Sequence, residues 1–429
     1  MALFLLIMLI ILLVVGFPMF VVMLLPTVAA MPIYLSHAPL FVLVQRTIAG
    51  ISPFPLVAVP LFIFAADIMV KGEMARRLTD LAEVLVGHLP GGLAHTTTLS
   101  CMIFGAVSGS TQAAVAAIGT TMHPWLIKHG YHQSFATALI INASDVAQLI
   151  PPSIFMIVFG VISGASVAAL FMAGLVPGIL LGLSFMAYSW FYARKYKIPR
   201  MERASRGEVW KAIKRAAGPL GFIVIIIGGI YSGIFSPTEA SGVAVAYALV
   251  LELCIYRSIK VVEIPRVALT SGITHGMIFI LIGGATAFIW LLTIARIPYM
   301  AAQLIATVNP SPLGLLFIIN GIFFIALMFF NPISAMLVLT PIFLPISRSY
   351  GINPVHLGAL ITLNAAIGSA TPPFGCDIFT ACAIFRLPFY KVIKGVPPFI
   401  MCGIIVLIIT MIFPDLVLFL PVCYFPETP

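Results

Sequence analysis

STQAAVAAIGTTMHPWLIKHGYHQSFATALIINASDVAQLIPP, residues 110–152, is echoed by NPISAMLVLTPIFLPISRSYGINPVHLGALITLNAAIGSATPP, residues 331–373. The offset is constant at 221 residues: Ser110 falls on Asn331, Ala114 on Ala335, Pro124 on Pro345, Gly130 on Gly351, Leu139 on Leu360, and Pro151–Pro152 on Pro372–Pro373. A repeated unit, each copy interrupted by prolines inside an apolar segment, is the pattern by which membrane carriers build a site near the bilayer centre.

The rest of the chain sets the solvent. Of 429 residues, 62% are hydrophobic and 8% charged, with a mean hydropathy of +1.17. A soluble domain needs far less apolar surface, so most of this chain is solvated by lipid. The apolar start, Met1 to Val15, has no basic flank or small-residue cleavage site, and reads as a first span rather than a signal peptide. The six cysteines form no CxxC and no cluster with histidine, so they read as apolar fillers. The net charge of +9 comes from basic residues in short connectors, which points to membrane orientation and not to nucleic acid.

Stretches of spanning length are 3–35 (broken near Gly16 and Pro18), 47–70, 133–160, 167–193, 217–236, 239–256, 267–293, 354–380 and 396–420. Crossing once takes about 20 residues, so the long, interrupted stretches 93–127 and 311–347 read as re-entrant hairpins. Placing the basic run Arg194 to Arg215 in the cytoplasm leaves only Arg46, Arg296 and Arg348 outside, so 19 of 22 basic residues lie inside. The same count sends the two hairpins in from opposite faces and puts the N-terminus in the cytoplasm. The expected fold class is therefore an all-α polytopic membrane protein: an inverted repeat with two opposed re-entrant hairpins and two broken helices. Residues 71–89 (KGEMARRLTDLAEVLVGHL) carry Met74, Leu78, Leu81 and Leu85 on one helical face and predict a helix lying in the interface.

The chemistry concentrates at the interruptions. Phe104-Gly105-Ala106-Val107-Ser108-Gly109-Ser110-Thr111 puts small and hydroxylated residues at the middle of the first hairpin, where the backbone can turn and present oxygens to a hard cation. Close helix packing through small residues is the competing account of SGS alone. The prolines at 151–152 and 372–373 cannot donate helix hydrogen bonds, so each helix is split there. The amide-rich start of a half-helix suits a carboxylate. Asp145, just before the first double proline, is costly to bury and points to a functional role; Asp67, four residues before Lys71, reads as a snorkelling pair with it. Glu239, in Ser236-Pro237-Thr238-Glu239, reads as a capping acid. Histidines 123, 129 and 132 form no HExxH, and no GxxxxGK[ST] is present.

These residues resemble a family. FGAVSGS…AAIG, GY…LIPPSI, FSPTEA, NPISAMLVLTPIFLP and IG.ATPPFG, with Gly16-Phe17-Pro18, Phe54-Pro55-Leu56 and Pro414-Asp415-Leu416, are similar to the large membrane subunit of tripartite ATP-independent periplasmic (TRAP) transporters over nearly the whole chain. The resemblance implies a multi-pass protein of the bacterial inner membrane, not an enzyme. It further implies Na⁺-driven import of an organic acid such as sialic acid, a four-carbon dicarboxylate or a sugar acid, by an elevator movement. The implied partners are a small four-helix membrane subunit and a soluble periplasmic binding protein. Na⁺ is the one cofactor it implies, expected at Ser108, Gly109, Ser110, Asn331, Ser334, Gly368 and Thr371. Substrate is expected at Ser144, Asp145, Pro151, Pro152, Pro372 and Pro373.

On this reading 1–70 and 161–293 are scaffold spans, the latter with a basic cytoplasmic linker 194–215. Residues 71–92 and 294–310 are interfacial connectors. The transport repeats are 93–160 and 311–385, and 386–429 is a C-terminal span and tail. Two departures stand out: Asn331 where the family has mostly Asp, and Leu327 where it has glycine. Asp145 and Gln148 are unusual before IPPS, which suggests an acid moved from one repeat to the other. The alternative functions are an ion channel, whose half-helices also line pores, and an ion-coupled carrier that needs no binding protein.

Overall fold

Residues 1–425, which a computed structural model describes, contain helices as their only regular elements. The last four residues of the expected C-terminal tail, 426–429, lie outside the described residues. Six of the described helices are long and apolar enough to cross a membrane.

The expected hairpins form. The first runs Gly92–Ser108 and Thr111–Lys128, the second Pro312–Leu327 and Pro332–Ser349. Each is followed by a split helix. Gln133–Asp145 is separated from Ile154–Ser163 by the segment holding Pro151 and Pro152. Pro354–Ser369 is separated from Cys376–Phe385 by the one holding Pro372 and Pro373. Both prolyl–prolyl bonds are cis.

The helix Val167–Lys195, 29 residues long, measures about 43 Å at 1.5 Å per residue, and it shows the inversion. At its C-terminal end, Tyr196 meets His132 at the base of the first hairpin, ring centroids 5.2 Å apart. Just before its N-terminal end, the carbonyl of Ser163 accepts from Arg348 Nη2, at the base of the second hairpin, at 2.7 Å. The two bases therefore mark opposite ends of one long helix.

The interfacial helix also forms, over Met74–Val86. It is pinned by Glu252, whose buried carboxylate accepts from the backbone N–H groups of Glu73 (3.2 Å) and Met74 (3.1 Å) and from the Ser258 hydroxyl. An acid at orphan helix N–H groups meets both its own need for donors and theirs for an acceptor. Glu239 likewise closes a capping box with Ser236, as expected.

Two expectations need correction, and two elements gain detail. The stretch 3–35 is two helices, Ala2–Val15 and Met19–Tyr34, and the ring of Phe4 lies 5.7 Å from that of Tyr34. The chain doubles back there because Gly16 takes φ +86° and Pro18 cannot continue the hydrogen bonding. An antiparallel pair returns the terminus to the Tyr34 end. The span expected at 47–70 begins only at Phe54, after Pro53 separates it from Phe41–Ile51. The basic connector 194–215 is helical from Arg206, where Ser205 and Glu208 form a capping box. The last span is bent by 62° between Pro397–Ile412 and Pro414–Tyr424.

Candidate functional site

Each hairpin tip touches the break of its own repeat. Gly109, with φ +59°, lies so close to the Pro152 carbonyl that a Cβ there would sit 2.0 Å from its oxygen. In the second repeat the Phe374 N–H donates to the Met328 carbonyl at 3.1 Å. Ser110 and Asn331 then cap the return limbs: Ser110 Oγ accepts from Ala113 N at 3.4 Å, and Asn331 Oδ1 from Ile333 N at 3.0 Å. These are N-cap residues doing at depth what they do at any helix start.

Both tips face one cavity of about 1050 Å³. Three helix starts line it: Thr111, Gln112 and Ala113; Ile154 and Phe155; Pro332, Ile333 and Ser334. First-turn N–H groups and the helix dipole give each start a partial positive charge. The rest of the lining comes from Met19 and Phe20, from Ile63, Ala66 and Asp67, and from Thr274 and its neighbours on Ile264–Ile294. Asp67 is the one charged side chain lining the cavity among the described residues.

Of the residues expected to bind, Ser108, Gly109, Ser110, Asn331 and Ser334 line this cavity. The Ser334 hydroxyl is buried with no hydrogen-bond partner, so it has bonding capacity to offer. Gly368 and Thr371 do not line it. Gly368 packs on Leu327, which a Cβ there would approach to 2.5 Å. Thr371 Oγ1 donates to its own helix at Ile367 O, 2.7 Å away. Pro151, Pro152, Pro372 and Pro373 shape the breaks without lining the cavity. Ser144 and Asp145, expected to bind substrate, are fully buried behind the wall, with Ser144 Oγ 3.6 Å from Cys101 Sγ. Asp145 lies beside Asp377, so each repeat holds one buried acid, while Asn331 caps its own helix. The Asp67–Lys71 pairing is also replaced: Lys71 pairs with Glu263 at 2.8 Å, and Asp67 accepts from Ser271 Oγ at 2.5 Å.

Sequence reasoning singled out Gln148 without assigning it to a site, and it missed Ser369, which lines the cavity with Gln148, and Asp377. Asp377 falls within the stretch 354–380, so the argument applied to Asp145 covers it as well.

Opposed hairpins that meet two split helices around one cavity define a polytopic secondary-transport permease. Comparison with known proteins fixes which kind. The family model "Tripartite ATP-independent periplasmic transporter, DctM component" matches residues 6–416. The chain is 47% identical over 418 residues to the ectoine/5-hydroxyectoine TRAP transporter large permease protein UehC of Ruegeria pomeroyi, covering 96% of each chain. It is 49% identical over 378 residues to the ectoine TRAP transporter large permease protein TeaC of Halomonas elongata, covering 88% of each. The solved YdaH transporter of Alcanivorax borkumensis shares the fold, with a TM-score of 0.64 at 12% identity over 88% of this chain and 89% of that one. The chain belongs to the DctM family: it is a TRAP transporter large permease, a multi-pass protein of the bacterial inner membrane that serves secondary transport of an organic acid.

Proposed function

We propose that this permease imports a compact zwitterion of the ectoine kind, coupled to Na⁺ and delivered by a periplasmic binding protein, with a small membrane subunit as its partner. The observation that carries this reading is the make-up of the cavity: three helix starts and a lone carboxylate, Asp67, line the same space. The helix starts suit the carboxylate of the substrate, and Asp67 suits its delocalised cation. The names of the two ectoine relatives support the same chemistry.

Charge balance supports it as well. Each net charge moved against an inside-negative potential costs about 2.3 kcal/mol per 100 mV. A dianion therefore needs several cations for electrogenic uptake, whereas a zwitterion needs one. Asn331, uncharged where the family has mostly Asp, fits a carrier with a lighter demand for cations. Ser108, Ser110, Asn331 and Ser334 are the oxygen donors for Na⁺. The two hairpins and two split helices form the moving body, which slides by an elevator motion against the helices that carry Asp67 and Thr274.

The test is uptake of radiolabelled ectoine into proteoliposomes holding the complete transporter with its binding protein. Uptake should require an inward Na⁺ gradient, and Asp67→Asn should reduce it by about tenfold, the loss of one charge-assisted contact. Uptake that ignores Na⁺ would defeat the coupling; uptake untouched by Asp67→Asn would defeat the zwitterion reading.

A further inference from the structure

Glu252 shows what a buried carboxylate requires in this fold: it is fully buried and receives three donors. Asp145 and Asp377, 1% and 0% exposed, are not served in this way. Neither oxygen of Asp145 has a hydrogen-bond partner, and Asp377 Oδ2 has none. Asp377 Oδ1 accepts from the Thr111 hydroxyl at 3.0 Å, and Cys376 Sγ stands 3.9 Å from it. The two carboxyls come within hydrogen-bonding range of each other.

The surroundings supply no counter-charge. From Gly92–Ser108 the pair meets the Cys101 thiol, itself against Ser144; from the second repeat it meets the Cys376 thiol, to which Gln112 Nε2 donates at 3.2 Å. His123 on the first hairpin is engaged elsewhere, with Thr137 Oγ1 at 3.0 Å and stacked on Phe385. Neither acid takes part in an ion pair among the described residues. Two carboxylates cannot both stay ionised in a dry contact with no cation. Acceptors facing each other directly, with no donor between them, call for a hydrogen on one of them.

We propose that Asp145 and Asp377 hold a single proton between them, forming a proton-binding site that ties the first repeat to the second. The proton comes from water in the cavity and returns there. Thr111, which lines the cavity and whose hydroxyl donates to Asp377, is the link. The site sits one layer behind the transport cavity and stands independently of the Na⁺ and substrate reading. Transport then depends on pH through a group that touches no substrate.

Infrared spectroscopy of the full chain in lipid nanodiscs at neutral pH tests the proposal without any transport step. A carbonyl stretching band of a protonated carboxyl should be present, should shift in D₂O, and should disappear in both Asp145→Asn and Asp377→Asn. In each variant the new amide donates to the remaining carboxylate, so thermal melting should show a folded protein. Thr111→Val should keep the band but slow its exchange with D₂O severalfold. The proton site is refuted if the parent lacks the band, as it would with a metal cation between two carboxylates, or if the band survives both single variants. Unchanged exchange in Thr111→Val refutes the link to the cavity. Should either Asn variant fail to fold, the band and its exchange in the parent and Thr111→Val still decide the matter.

Discussion

The two hairpins occupy equivalent positions in the sequence repeat but close on their breaks by different means. The first turns through a single left-handed glycine, Gly109, pressed against the Pro152 carbonyl. The second turns through Met328, Phe329 and Phe330 and holds its break by one backbone hydrogen bond, Phe374 N–H to Met328 O, with the rings of Phe329 and Phe374 6.2 Å apart. One helix turn below, the equivalent positions Ala147 and Gly368 each meet a different hairpin residue. Gly105 of the first hairpin faces Ala147, whereas in the second repeat Leu327 faces Gly368, which is Ala147 carried forward by the offset. The two copies share the path of the chain, and each places its glycine on a different side of the close contact. The first closure is a rigid backbone fit, and the second relies on side chains.

The largest effect should come from testing that rigidity. In Gly109→Ala the new Cβ meets the Pro152 oxygen at 2.0 Å, and a positive φ adds roughly 1–2 kcal/mol of strain. Neither can be relieved without parting the hairpin from its break, so uptake into proteoliposomes should fall to background. Phe330→Ala, at the register-equivalent position, removes a half-buried ring packed on the core but drives no atom into the backbone of the break, so uptake should fall less far than in Gly109→Ala. Equal losses in the two variants would show that the hairpins close alike.

These two contacts make the second prediction. Gly368→Ala drives a Cβ to 2.5 Å from Leu327 Cβ and should cost about 1–3 kcal/mol, the usual penalty of overpacking. Adding Leu327→Gly should leave the double variant less destabilised than the sum of its two single variants, since every close atom belongs to the Leu327 side chain, although deleting that buried side chain carries its own cost. The corresponding rescue should fail in the first repeat. Gly105→Ala meets Ala147 at its Cα, 2.5 Å away, and Ala147→Gly leaves that atom in place. Rescue in both repeats, or in neither, would remove the distinction.

How much of this was legible in the sequence follows from the same comparison. The hairpins, breaks and inversion depend on proline, glycine and charge, whose effects are local or additive along the chain, and the 221-residue offset exposes them. The reversal at Gly16 was not legible, because a glycine beside a proline is compatible with a bend or with a full turn. Contacts that break the repeat were hidden for a different reason. Asp145 is matched by Ala366 and Asp377 by Met156, so the offset that revealed the fold points away from the pair they form. Asp67 was read with its nearest charge in sequence, Lys71, while the fold gives each a partner from distant chain, Ser271 and Glu263.

The smallest effect concerns the two caps, where the repeats come closest to equivalence. Ser110→Ala removes the acceptor for Ala113 N and should lower stability by about 1 kcal/mol, the ordinary loss of an N-cap. Asn331→Asp replaces one good cap by another, so stability should stay within about 0.5 kcal/mol. It does add a carboxylate at the cavity wall beside the unpartnered hydroxyl of Ser334. If the oxygens at the two tips hold Na⁺, the half-saturating Na⁺ concentration for uptake should fall severalfold in Asn331→Asp. The melting temperature should meanwhile remain that of the parent. A variant whose Na⁺ dependence does not move would place the coupling ion away from the second tip, and would make the first hairpin alone responsible for it.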